Sequence, residues 1–151
     1  MSQTSGYDFA LPKALVGMLA DNTPNVVDSF AAEAVVHFGA GVIAGTDPDN
    51  QVKTAVAAGK FRGVALRDHT RLTNRTTGIA EYAAKDTVSV LRKGRVWVEV
   101  TEAVVAEDAA YCDVSSTDVG KFCKTSSGGN LATGGKFLYS AGAGELAVLE
   151  L

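Results

Sequence analysis

From Val35 onward, short apolar segments alternate with turn residues at a spacing of roughly ten residues. This pattern is typical of an all-β sandwich or barrel, in which each strand crosses a small core before the chain turns. No segment after Val35 has the 3.6-residue period of a long amphipathic helix. The sequence therefore predicts an all-β fold, a compact β-barrel or sandwich, with strands over Val35–Phe38, Val42–Gly45, Val52–Val56, Phe61–Arg67, Thr87–Leu91, Arg95–Thr101, Ala109–Asp113, Lys121–Lys124, Lys136–Ser140 and Glu145–Leu151.

The first 33 residues lack this pattern. They contain Pro12, Pro24 and the turn-like segment 21–25, and their apolar residues follow neither a strand nor a helix period. We interpret residues 1–33 as an extended N-terminal arm and residues 34–151 as the β-barrel or sandwich domain. A length of 151 residues suits one domain with an arm.

The segment Thr87–Val100 has the clearest alternation of apolar and polar residues. A two-residue turn at Lys93 and Gly94 would divide its valines between two faces of a hairpin. A three-residue loop, Arg92–Gly94 with Gly94 left-handed, instead places all of them on one face, so we prefer that register. Trp97 then points the other way, which indicates a second packed layer or an interface. The valines are Val88, Val90, Val96, Val98 and Val100.

Two long segments between predicted strands are candidates for contacts, because β scaffolds usually carry binding residues on loops. Residues 68–78 are polar and contain Arg71 and Arg75. Residues 125–135 are mostly small and are expected to form a flexible loop.

Charge is distributed unevenly along the chain, although the formal net charge is only −3. Residues 1–59 carry 2 cations and 6 anions, residues 60–95 carry 9 cations and 3 anions, and residues 96–151 carry 3 cations and 8 anions. A basic middle between acidic ends suits nucleic-acid binding, self-assembly through complementary charge, or a solvated basic loop.

No residue pattern predicts catalysis or a bound cofactor. The glycine-rich segment 39–45 is followed by residues 46–50, which leave no room for the helix that a dinucleotide site needs. Residues 134–136 have a lysine after two glycines but lack the rest of a phosphate-binding loop. His37 and His69 have no cysteine or carboxylate at metal-site spacing, so we interpret them as packing or surface histidines. We expect no metal, no cofactor and no small-molecule substrate.

Two cysteines flank the turn at residues 115–120. A hairpin that pairs Asp113 with Phe122 would place Cys112 and Cys123 opposite each other, where a cross-strand disulfide is geometrically allowed. A reducing cytosol instead favours two buried free thiols. Cytosolic synthesis is expected because the first twenty residues lack the features of a secretory signal and the longest uncharged apolar stretch, 34–45, is too short for a membrane span.

Several segments, in order along most of the chain, resemble one family: the cement or decoration proteins of tailed-bacteriophage capsids. The resemblance is strongest over Tyr82–Val98. The remaining blocks are Val16–Asp21, His37–Gly45, Gln51–Lys53, Phe61–Arg67 and Ala141–Ala147.

The resemblance implies a structural virion protein with no active site. Such a protein is made in the host bacterial cytoplasm, binds the outer capsid surface and bridges neighbouring subunits of the major capsid protein. Closed symmetry and the uneven charge together predict a homotrimer at threefold or local threefold positions, with a twofold dimer as the main alternative. We expect contacts with the capsid or with a neighbouring subunit from residues in the arm and in the loop 68–78: Tyr7, Phe9, Leu15, Met18, Arg71 and Arg75.

Two other functions fit the same fold class. A nucleic-acid-binding β-barrel would use the basic segment 60–95, with Phe61, Tyr82 and Trp97 as stacking surfaces. The isoelectric point of about 5.3 is low for that function. A phage tail or host-attachment domain would differ from a cement protein only in its partner.

Overall fold

Twelve β-strands and no helix occur in residues 14–71 and 81–151, the parts of the chain that the computed structural model describes. Within these ranges, no helix is long and apolar enough to cross a membrane. The strands are β1 (Val26–Ala32), β2 (Val36–His37), β3 (Gly41–Ala44), β4 (Gln51–Thr54), β5 (Phe61–Ala65), β6 (Glu81–Tyr82), β7 (Thr87–Lys93), β8 (Arg95–Glu99), β9 (Ala109–Cys112), β10 (Phe122–Cys123), β11 (Leu131–Phe137) and β12 (Leu146–Glu150).

Five strands close into a small barrel in the order β1-β4-β3-β5-β7. The β1–β4 pair is parallel, and the antiparallel pairing of β1 with β7 closes the barrel. A second sheet has the order β10-β9-β11-β12-β8, and a parallel bridge between Val100 and Phe122 links the end of β8 to β10. The short pair β2–β6 forms a third, two-stranded sheet.

The core has two parts, because the barrel is filled inside and is also covered by the second sheet. Successive side chains of a strand point to opposite faces. On β3, Val42 belongs to the cluster inside the barrel, whereas Ile43 packs in the cluster between the barrel and the second sheet. Val90 and Leu91 of β7 divide in the same way. Strands that are buried on both faces hold the two layers together.

The all-β prediction is confirmed, and each predicted segment overlaps an observed strand. The pattern missed β6 and β1. Residues 26–32, assigned to the arm, form β1 between β4 and β7 of the barrel. Val26 and Val27 are both exposed, so β1 lacks the alternation that identified the other strands. Backbone pairing holds β1 in place, and any arm outside the barrel ends before Val26.

The hairpin predicted over Thr87–Val100 is wrong. β7 pairs with β1 and β5 in the barrel, whereas β8 pairs with β12 in the second sheet. Gly94 has the expected positive φ, 133°, but there the chain passes from one sheet to the other. The five valines are fully buried, two inside the barrel (Val88, Val90) and three between the layers (Val96, Val98, Val100).

The flexible loop predicted over residues 125–135 is also partly wrong, because β11 begins at Leu131. The run of small residues in this segment suggested a loop. Gly135, however, allows two neighbouring strands to pack closely. A Cβ on Gly135 would collide with the backbone carbonyl oxygen of Glu150 on β12. Leu131 and Phe137, at the two ends of β11, are buried in the core.

Candidate interaction surface

Residues 14–20, which we call the strap, lie along the outer edge of β8. The N–H of Gly17 donates to the carbonyl oxygen of Trp97 at 2.7 Å, and the N–H of Trp97 donates to Met18 at 2.9 Å. The N–H of Ala20 donates to the carbonyl oxygen of Arg95 at 2.9 Å. An exposed strand edge invites pairing with other chains, so the strap protects β8 by adding a short strand to it.

The strap also binds the barrel. The N–H of Arg67, just after β5, donates to the carbonyl oxygen of Gly17 at 2.8 Å, and its guanidinium Nε donates to Val16 at 3.0 Å. Gly17 has φ = 80°, and a Cβ at this position would lie 2.7 Å from the backbone nitrogen of Gly39. Glycine is the residue that adopts such a conformation at no steric cost. The strap therefore connects the barrel to the second sheet.

Two strap side chains are directed outward. Leu15 is 42% exposed and Leu19 is 37% exposed. Of the residues predicted to make contacts, Leu15 is thus accessible and Met18 is partly buried. Tyr7 and Phe9 lie outside the described residues.

A groove of about 730 Å³ has Ala14 of the strap in its wall. Trp97 and Val148 line the groove from β8 and β12, and they are direct neighbours in the sheet. Tyr139 stands at the same groove with 64% of its surface exposed. The prediction that Trp97 faces away from the valine core is confirmed, and the side chain contributes to an accessible aromatic surface.

A smaller cleft of about 310 Å³ has Val16 of the strap in its wall. We call it the junction cleft, because its lining comes from the barrel, the second sheet and the loop before β10. The remaining lining residues are His37, Phe38, Gly39, Ala40, Arg67, Glu99, Val119, Gly120 and Lys121. The strap thus contributes one residue to the lining of each recess.

The predicted contact residue Arg71 makes ion pairs within its own chain. Its guanidinium lies 2.6 Å from Asp86 and 3.2 Å from Asp68, and it stacks over the ring of Tyr82 at 5.0 Å. The hydroxyl of Thr70 donates to Asp68, and this hydrogen bond is the main cause that lowers the pKa of the carboxyl. Arg75 lies outside the described residues.

Charges that are segregated in the sequence come together in the fold. Arg92 of the basic middle pairs with Asp28 of the acidic first part at 3.1 Å. Arg95 binds Asp21 at 3.0 Å and Glu150, from the acidic last part, at 2.6 Å. Intrachain pairing therefore uses part of the basic charge that had suggested nucleic-acid binding or charge-driven self-assembly.

The cysteines lie on adjacent strands in a register that differs by one residue from the predicted one. Phe122 pairs with Cys112, and Cys123 pairs with Tyr111, so the two cysteines are not directly opposite. Directly opposite residues share a face of a sheet and successive residues alternate, so the two thiols point to opposite faces. Both are free and buried. Burial raises the pKa of Cys112 to about 12 and that of Cys123 to about 11.

We expect both thiols to be unreactive in the folded protein. The thiolate is the nucleophile, and at about pH 8 a raised pKa leaves almost none of it. Dithionitrobenzoate should label Cys112 and Cys123 only after guanidinium is added, which a colorimetric time course measures. Complete labelling of the native protein within seconds would contradict the buried positions.

The histidines occupy two different environments. His37 is half exposed, and its Nδ1 lies 3.4 Å from the Glu81 carboxylate. His69 is exposed. Across the described ranges, no three histidine, cysteine, aspartate or glutamate side chains are grouped so that they could hold a metal ion.

Sequence reasoning missed Arg67 and Tyr139. Neither stands in a motif, and each acquires its role only when distant segments come together. Trp97 was detectable because a large aromatic on the polar face of a strand signals an interface.

Comparisons with known proteins agree with this architecture. A chain from a structure of the capsid of Myoviridae Phage XM1 is 18% identical, with a TM-score of 0.76, covering 99% of this chain and 96% of that one. The N base of head fiber gp8.5 in bacteriophage phi29 is 14% identical, with a TM-score of 0.56, covering 85% of this chain and 94% of that one. At these identities the likeness shows the fold. No curated protein matched.

The family comparison extends over nearly the whole sequence. Residues 2–151 match the model of the family described as structural cement protein (E217 gp24/Pam3 gp6). The resemblance found in the sequence is thereby confirmed. This chain belongs to the phage structural cement protein family.

Proposed function

We propose that this protein binds the outer surface of a phage capsid, contacts the major capsid protein and bridges neighbouring subunits, so that the shell resists expansion and rupture. The observation that carries the proposal is the family match over residues 2–151. The role is structural and involves no catalysis. Its location is the virion, after synthesis in the host bacterial cytoplasm.

The strap and the two recesses that it helps to line are the surface that we assign to the capsid. Leu15, Leu19 and Tyr139 are large, exposed apolar or aromatic side chains on this surface. Tyr139 lines the groove, Leu15 and Leu19 belong to the strap, and exposed apolar groups of this size are typical of protein interaction sites. Several weak contacts act together, because each contact formed raises the effective concentration for the next.

The residues ahead of the strap extend the same contact. Tyr7 and Phe9, in the first 13 residues, supply apolar side chains that we assign to the capsid or to a neighbouring cement subunit. The strap already occupies the edge of β8 within its own chain, so strand addition to a neighbour falls to the segment before Ala14. Met18, Arg71 and Arg75 are weaker candidates for the same interface.

Self-association is a further part of the proposal. A homotrimer at threefold or local threefold positions remains our preferred arrangement, with a twofold dimer as the alternative. Arg92 and Arg95 are paired within the chain, so these two cations are less available for complementary charge between subunits. Analytical ultracentrifugation of the free protein and imaging of the decorated shell distinguish a trimer from a dimer.

Co-sedimentation with undecorated capsids tests the proposal. Leu15→Asp places a carboxylate in the proposed contact and should weaken binding by about tenfold or more, because an unpaired charge is costly to bury. Val56→Asp is the matched control, since Val56 is 45% exposed and lines neither recess. Failure of the wild-type protein to sediment with capsids would contradict the function. Equal binding by both variants would contradict the choice of surface.

A further inference from the structure

The geometry of the junction cleft points to a specific ligand class. We propose that the cleft receives one acidic side chain, an aspartate or glutamate, from an extended segment of the capsid protein. This inference rests on the proposed function and specifies the chemistry of one contact within it.

Arg67 supplies the charge that would recognise this carboxylate. Its Nε donates to the carbonyl oxygen of Val16, and its guanidinium lies 5.2 Å from the ring centroid of Phe38. These two contacts fix the guanidinium at the wall of the cleft. Among the described residues Arg67 forms no ion pair, in contrast to Arg71, Arg92 and Arg95. An oriented guanidinium binds a carboxylate with two parallel hydrogen bonds.

The other charged residues at the cleft are paired with one another. Lys121 lies 3.0 Å from Glu99 and 3.0 Å from Asp118, and these hydrogen bonds raise its pKa, with the bond to Glu99 as the larger cause. Lys121 is thus shared by two carboxylates within its own chain and has no charge left for an incoming anion. His37 also lines the cleft, and its Nδ1 faces Glu81 on the neighbouring strand. Arg67 is therefore the cation with capacity for an incoming anion.

The remaining wall is apolar and narrow. Val16, Phe38, Ala40 and Val119 contribute hydrocarbon surface, and the cleft volume is about 310 Å³. This space suits a single side chain with its flanking backbone and is too small for a folded element. Methylene groups of a glutamate would contact the hydrocarbon wall while the carboxylate reaches Arg67. A lysine or arginine of a partner would instead be repelled by the unpaired guanidinium of Arg67.

Substitution of Val119 by residues of opposite charge tests the proposal without changing Arg67 or its contacts. It lines the cleft and is 36% exposed, so either charge is tolerated by the fold. Val119→Asp should weaken co-sedimentation with undecorated capsids by about tenfold through repulsion of the carboxylate, whereas Val119→Lys should leave binding unchanged or tighten it. Equal weakening by both would show a steric effect and overturn the proposal. No effect of either would overturn it as well.

Arg67 itself provides the second test. Arg67→Gln keeps a donor near Val16 but removes the charge, so capsid binding should fall by about tenfold. The thermal midpoint of each variant is measured alongside, and only variants that melt like the wild type are compared. Normal binding by a folded Arg67→Gln variant would overturn the proposal and leave capsid binding itself intact. Wild-type protein that fails to sediment would refute the proposed function instead.

Discussion

Substitution of Phe122 by alanine is expected to lower the free energy of unfolding by about 3–5 kcal/mol. The side chain is fully buried between the barrel and the second sheet, and its ring packs edge-to-face on Phe61 with centroids 6.2 Å apart. Phe122 also carries the parallel bridge to Val100, which links β10 to the end of β8. Its truncation leaves a cavity at the junction of the two layers. Urea denaturation, followed by tryptophan fluorescence, measures the loss.

Tyr139→Ala is the matched control for this experiment. It removes an aromatic ring of similar size from a position that is 64% exposed. We expect its free energy of unfolding to stay within about 0.5 kcal/mol of the wild type. A loss below about 1 kcal/mol for Phe122→Ala would contradict the two-layer core.

Two N-terminal deletions are expected to separate folding from capsid binding. Removal of residues 2–13 leaves the strap in place, so the protein should fold normally and bind capsids less tightly. Removal of residues 2–20 also deletes the strap, with its hydrogen bonds to Arg67, Arg95 and Trp97. At a net value of about 1 kcal/mol for each bond, that loss is on the order of several kcal/mol. The uncovered edge of β8 should also promote aggregation.

Circular dichroism melts and light scattering measure folding and aggregation, and co-sedimentation with undecorated capsids measures binding. If the chain lacking residues 2–20 melts like the wild type, the strap is not the connection between the layers that its hydrogen bonds indicate. If the chain lacking residues 2–13 binds capsids as tightly as the wild type, Tyr7 and Phe9 make no contribution to the interface.

The strands of this fold were predictable because the alternation that indicates a strand lies within the segment itself. A valine at every second position shows that one face of a segment is buried, as in Val96 and Val98. Which strand pairs with which is a non-local property. β7 and β8 are consecutive and joined by the single residue Gly94, yet they belong to different sheets. Periodicity fits a hairpin and a crossing between layers equally well.

The interaction surface was less predictable than the strands, because it too depends on contacts between distant segments of the chain. Leu15 was identified because an apolar residue in an unpatterned segment needs a partner. Arg67 gave no such signal, because its role depends on Val16 and Phe38, which reach it only through the tertiary fold. β1 was missed because exposed Val26 and Val27 conceal a strand that is held by backbone pairing.

Cryo-electron microscopy of undecorated capsids incubated with the purified protein tests the central claim most directly. The account predicts added density on the outer surface, at sites where several major capsid subunits meet, with the strap of residues 14–20 facing the shell. The same map shows whether the copies form trimers or dimers. Shells without added outer density, or density that touches only one capsid subunit per copy, would contradict the account.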